Sequence, residues 1–224
     1  METITKTLAN KWFALVVIML MLAFSAVVYS SLPDEMPRQW SFEGEVNSTW
    51  PRWAAAVVMP ALAGIIWLMW FVLPTIDPRR AAYESFRPTY NRFRSAVIVF
   101  LGAVHVVTLT VYDDPDVVVR IILVGMALLV AFIGNELTRV RPTWFVGIRT
   151  PWTLSSDAVW RRTHRVGGRL MFVTALIGAV LALVLPTNLA GIILIGGLVL
   201  VSLVTVAYSY WAWTQEQQST GQTE

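Results

Sequence analysis

Residues 121–133, IILVGMALLVAFI, run without a charge into residues 134–168, GNELTRVRPTWFVGIRTPWTLSSDAVWRRTHRVGG, and these into residues 169–185, RLMFVTALIGAVLALVL. Read with their flanks as residues 119–137 and 167–185, the two apolar runs are long enough to cross a hydrocarbon core of about 30 Å as helices. The Arg- and Trp-rich stretch between them is too polar for lipid and belongs at a membrane surface. The same reading applies to residues 12–30, 53–73, 94–112 and 190–212. The expected fold class is therefore all-α, a polytopic bundle of six transmembrane helices.

Composition agrees. With 56% hydrophobic and 14% charged residues among 224, the chain is too apolar for an ordinary soluble domain, and the lipid bilayer is its natural partner. The net charge of +3 is carried by basic residues that punctuate apolar runs instead of forming a basic domain, so no direct nucleic-acid binding is expected. There is no Cys, hence no disulfide framework and no thiolate chemistry. Lys6 and Lys11 precede the first run as they would in a signal peptide. That run of about 18 residues exceeds a typical signal h-region, and it passes into Ser-Ser-Leu-Pro-Asp-Glu without a small-x-small cleavage site directly ahead of that stretch, so an uncleaved first span is expected.

Breaks between spans carry the usual punctuation: Pro33 and Pro37, Pro74 and Pro78, Asp113 to Asp116, Pro142 and Pro151, and Pro186 to Asn188. The short connections near 113–118 and 186–189 make antiparallel neighbours of spans three and four, and of five and six. All but Arg38, Arg52 and Arg120 of the 17 Lys and Arg fall on one side of this arrangement, so that side is expected in the cytoplasm, with both termini inside. The chain divides into residues 1–92, a two-span region with outer loop 31–52, and residues 93–213, a four-span region with cytoplasmic loop 138–168. Residues 214–224 read as a frayed tail.

Loop 138–168 has a chemistry richer than a charge belt. Pro142 ends a span, Gly147 permits tight backbone geometry, and Arg149-Thr150-Pro151 reads as a turn beside Trp152 and Thr153. A short surface helix is expected next, capped by Ser155, with Trp160 and His164 four residues apart on one face, before Gly167-Gly168 turns the chain into span five. His164 reads as a structural group closing the loop with Thr163 onto Asn135 or Glu136, as a contact to a ligand or partner, or as a catalytic base. A pair between Arg149 and Glu136 is a further expectation. In the preceding loop, Tyr83, Phe86, Tyr90 and Phe93 share a helical face and suggest a membrane-surface helix. His105 stands in mid-span, where an ionisable group is costly. It reads as a proton relay or as a structural imidazole bonded to Thr108 or to a neighbouring helix.

The spacing of Gly134-Asn135, Gly147-Ile148-Arg149-Thr150-Pro151-Trp152-Thr153-Leu154, Trp160, Thr163-His164 and Gly167 resembles the C-terminal signature of the SdpI family, bacterial integral membrane proteins known for immunity to a secreted peptide toxin. Thr143 stands where that signature usually has Asn. In the first half, Pro37, Trp40, Gly44 and Glu45 match the outer loop of the family's common N-terminal domain, and Ile76-Asp77-Pro78-Arg79 matches its helix exit. Gln39, Ser41 and Asn47 depart from the usual His, Asn and Asp. With those imidazole and carboxylate groups gone, no metal site is expected on the loop.

The resemblance implies a multi-pass plasma-membrane protein that is not an enzyme and needs no cofactor. It implies a membrane-active peptide toxin as partner on the outer face and a cytoplasmic repressor as partner on the inner one. The residues it nominates are Pro37, Trp40, Gly44 and Glu45 outside, and Asn135, Glu136, Gly147, Arg149, Thr150, Pro151, Trp152, Thr153, Trp160, Thr163 and His164 inside. A small transporter or channel, with His105, Asn135 and Glu136 on its path, is the rival reading. A membrane-embedded enzyme acting at loop 138–168 is a third.

Overall fold

The computed structural model describes residues 2–10, 12–41 and 45–221. The described residues form eight α-helices: α1 (Glu2–Ala9), α2 (Phe13–Val28), α3 (Arg52–Ile76), α4 (Ala82–Thr110), α5 (Pro115–Leu137), α6 (Pro151–Ser155), α7 (Asp157–Val184) and α8 (Thr187–Gly221). Six of these, all but α1 and α6, are long and apolar enough to span a membrane. Their outward faces carry large apolar side chains, with Val27 79% and Val184 70% exposed, the pattern required when lipid is the solvent. The bundle has a hairpin end, where β1 (Glu35–Trp40) and β2 (Val46–Pro51) join α2 to α3, and a signature end, where residues 138–156 join α5 to α7.

Local chemistry sets the element boundaries. Asp114 caps α5 by accepting from Val117 N–H at 3.2 Å, with Pro115 in the first turn, where its missing N–H is not needed. Ser156 caps α7 by accepting from Ala158 and Val159 N–H, one residue later than the expected Ser155. In α4, Phe86 leaves helical geometry (φ −129°, ψ 22°) ahead of Pro88, whose ring removes a backbone bond and crowds the preceding turn. A two-stranded hairpin is marginal alone. Here it is anchored by fully buried Met36, by Leu32 packed near Ala55 and Leu109, and by the Arg52–Asp34 ion pair at 2.6 Å.

Several expectations are corrected. The chain does not turn at Gly167-Gly168: α7 continues unbroken from Asp157 through both glycines. Their task is packing, because a Cβ on Gly168 would lie 2.5 Å from the Gly134 carbonyl oxygen of α5, and α5 and α7 form the most extensive helix contact. The segment holding Tyr83, Phe86, Tyr90 and Phe93 is not a surface helix. It is the first part of α4, and all four rings are buried with Leu137, Val140 and Trp160, because the signature loop covers them. Beyond residue 213, α8 stays helical to Gly221. At 1.5 Å per residue its 35 residues extend about 52 Å, so its last turns reach past the hydrocarbon and pack on the signature loop.

Candidate functional site at the signature end

The centre of the signature is a ring of fixed hydrogen bonds about His164. Its Nδ1 lies 2.9 Å from the Trp160 carbonyl and its Nε2 2.9 Å from Ile148 N. The carbonyl only accepts and the amide only donates, so the neutral tautomer carries its proton on Nδ1 and accepts at Nε2. The Trp160 ring stacks on the imidazole at 4.0 Å, and the indole N–H donates to the Val140 carbonyl at 3.0 Å. The stripe of residues four apart thus packs inward, pinning the loop from both sides. Gly147 makes this approach feasible. Its φ is +117°, and a Cβ would stand 2.5 Å from His164 Nε2 and 2.7 Å from the Trp160 ring.

One turn on, Thr150 and Thr153 cap α6 reciprocally: Thr150 Oγ1 accepts from Thr153 N–H at 3.1 Å, and Thr153 Oγ1 accepts from Thr150 N–H at 2.8 Å. This capping box positions Pro151 at the first helical turn and Trp152 against Tyr210 of α8. Thr150 also meets Ser209 at 3.0 Å, and Ser156 donates to Glu216 at 2.9 Å. Thr163 is fully buried but does not pair with His164, and its hydroxyl has no partner among the described residues.

Two buried carboxylates complete the site. Glu136 accepts from Arg92 Nε at 3.0 Å and Nη2 at 2.5 Å, and from Arg139 at 2.7 Å. The expected Arg149–Glu136 pair is not formed, since Arg92 reaches this carboxylate from α4 across a drier path. Arg149 is exposed and donates to the Trp144 carbonyl at 2.5 Å. Asp77 accepts from Arg79 N–H at 2.7 Å, Tyr83 hydroxyl at 2.8 Å and Trp144 N–H at 3.0 Å, which joins the α3–α4 turn to the signature loop. Arg79 extends the joint to the Leu154 carbonyl at 3.0 Å. Asp77 and Arg92 were not singled out by sequence reasoning as site residues. A carboxylate flanked by Ile76 and Pro78 at a span's exit was the available signal for Asp77, whereas Arg92 offered none beyond its charge.

The remaining candidates lie elsewhere. Asn135 is exposed on α5, in a cleft away from His164. Pro37, Trp40 and Glu45 belong to the opposite, hairpin end, and Gly44 lies outside the described residues. Glu45 continues the hairpin beyond the strands, its carbonyl accepting from Ser41 N–H at 2.8 Å. His105 sits between α2, α3 and α4. Ser25 donates to the Ala56 carbonyl at 2.7 Å, so the imidazole Nε2–H donates to Ser25 Oγ at 2.8 Å. Thr108 meets only the His105 backbone carbonyl. Among the described residues, no three His, Cys, Asp or Glu side chains gather to hold a metal ion.

Six apolar spans, a polar cap locked by hydrogen bonds and a short hairpin at the other end define a multi-pass α-helical membrane protein. Residues 139–209 match the SdpI/YfhL protein family, and residues 16–64 match a domain of unknown function, DUF1648. The chain is 23% identical over 170 residues to the protein named Immunity protein SdpI of Bacillus subtilis (strain 168), covering 75% of this chain and 79% of that one. No solved structure matches. The part of the chain that carries the signature is thus similar to the SdpI/YfhL family, and the chain is a multi-pass protein of the plasma membrane.

Proposed function

We propose that this chain is an immunity and sensor protein of the SdpI type, with the hairpin outside and the signature end and both termini in the cytoplasm. The observation that carries the reading is its likeness to the Bacillus subtilis immunity protein over 75% of its length. The clustering of nearly all Lys and Arg at the signature end supports the orientation. In this reading residues 1–92 receive a membrane-active peptide toxin on the hairpin, through Pro37, Trp40, Gly44 and Glu45. Residues 93–213 offer a cytoplasmic repressor the exposed Arg149, Trp144 and Phe145. Glu136, Thr150, Thr153, Trp160, Thr163 and His164, all buried, act by holding the loop's shape.

Engagement of both His164 nitrogens supports a non-enzymatic role, because a general base needs a free lone pair within reach of substrate. At His105 only Nε2 is engaged, by Ser25, while Nδ1 is buried without a partner among the described residues, and the bond that anchors the ring to α2 favours a structural imidazole over a relay on a transport path. The test is membrane potential in a sensitive Gram-positive host challenged with the SdpI family's toxin peptide, with and without this protein. Protection that is lost on Trp40→Ala or Arg149→Ala at equal membrane abundance is the expected result. Collapse of the potential despite correct insertion would remove this toxin as the ligand.

A further inference from the structure

Beside the contact of Gly134 with Gly168, toward the signature end, α5 and α7 enclose a cleft of about 670 Å³, within the roughly 300–1,000 Å³ range of ligand pockets. Its walls carry Asn135 from α5, Arg139 just beyond the end of α5, and Arg161, Arg165 and Arg169 from α7, and no carboxylate lines it. Arg139 is partly neutralised by Glu136 at 2.7 Å. Asp157, one turn before Arg161, lines the adjoining hollow instead. The side chains of Arg161, Arg165 and Arg169 make no hydrogen bond or ion pair among the described residues. Three guanidinium groups in one cleft, one helical turn apart, repel one another unless an anion joins them.

The same face of α7 then changes character. Phe172 and Val173 close the cleft, and Leu176, Ile177 and Val180 follow at helical spacing, all exposed. A ligand must therefore be an anion at one end and hydrocarbon at the other, aligned with the bilayer normal. Guanidinium forks match phosphate oxygens bidentately, and basic pockets between spans are suited to anionic headgroups. We propose that this cleft binds an anionic phospholipid, its phosphate held by Arg161, Arg165 and Arg169 and its acyl chains lying along Phe172, Val173 and Ile177. This proposal does not depend on the identity of any toxin or repressor.

The full-length protein, delipidated in detergent, is titrated with phosphatidylglycerol and separately with phosphatidylcholine, and bound lipid is counted by native mass spectrometry. Phosphatidylglycerol is expected to bind more tightly. Arg161→Gln, Arg165→Gln and Arg169→Gln together should weaken it by about 100-fold, roughly fivefold for each charge near the surface. The control combines Arg80→Gln, Arg141→Gln and Arg162→Gln, three exposed arginines at the same end but outside the cleft, whose charges reach the bound phosphate only through screening solvent, and should weaken binding by less than about fivefold in all. Equal losses in both triple variants would assign the preference to diffuse surface charge and overturn the proposal. So would equal binding of the two lipids, or full displacement of phosphatidylglycerol by inorganic phosphate at similar concentration, which would make this a site for the soluble anion. If the triple variant fails to fold, Arg165→Gln alone carries the test, with about a fivefold loss expected and no loss counting against the site.

Discussion

Replacing Gly147 by Ala adds one methyl group at the tightest point of the signature. That carbon would lie 2.5 Å from His164 Nε2 and 2.7 Å from Trp160, well inside van der Waals contact. The backbone there has φ +117°, a region that costs an L-residue about 1–3 kcal/mol. Moving the imidazole aside breaks the 2.9 Å bond from Ile148 N–H and leaves a buried donor unsatisfied, a further 1–3 kcal/mol or so. The expected destabilisation is the sum, about 2–6 kcal/mol, measured as the change in denaturation free energy of the purified protein in micelles. Gly196→Ala is the reference, since its Cβ would meet nothing within 4 Å. It should be neutral or stabilising by up to about 1 kcal/mol, the difference in helix propensity. Adding His164→Ala to Gly147→Ala removes the obstacle, so the double variant should cost less than the sum of the two singles, with a coupling of about 1–2 kcal/mol. If Gly147→Ala unfolds within error of Gly196→Ala, the account of the signature as a packed, tautomer-specific node is wrong.

Arg92→Gln should destabilise by about 3–5 kcal/mol because it strips a buried carboxylate of its main partner. Arg149→Gln should stay within about 0.5 kcal/mol of wild type, as an exposed side chain does; the same denaturation assay ranks the two, and the opposite order would restore the Arg149–Glu136 pair. Ser25→Ala leaves the His105 ring N–H without its acceptor and should cost about 1–3 kcal/mol, whereas Ser202→Ala on exposed α8 should be nearly silent in thermal melts. The cysteine-free chain permits single-site labelling to fix orientation. A membrane-impermeant maleimide should modify Thr49→Cys in intact cells and Ser85→Cys only after permeabilisation, and the reverse pattern would invert the assigned sidedness.

The six spans were legible because lipid imposes a simple code: length and apolarity suffice, as in residues 119–137. Helix ends were less legible. Asp157–Val184 was read as a surface helix, a turn at two glycines and a span, since glycine pairs signal turns in water. In a bundle the missing Cβ serves close approach, as at Gly134 and Gly168. The shared helical face of Tyr83, Phe86, Tyr90 and Phe93 reads as a membrane-surface helix, and only the tertiary fold shows that residues 138–148 cover these rings. Individual signature residues were readable as a set, but not their roles. Which base pairs with Glu136 depends on the distance from α4, which no spacing in one chain encodes. The small helix at Glu2–Ala9 escaped notice because it is too short to announce itself by periodicity.

The path of α3 has a mechanical consequence. Its first residue, Arg52, clasps Asp34 beside the hairpin, and the residue after its last, Asp77, holds Trp144 of the signature loop. Its 25 residues make a strut of about 37 Å with one joint on each side of the membrane. The Trp144 N–H to Asp77 bond measures 3.0 Å, and such bonds are gone by about 3.5 Å. An axial push at the hairpin therefore bears on the Asp77 joint, softened where Pro60 and Pro74 interrupt the hydrogen bonds of the helix.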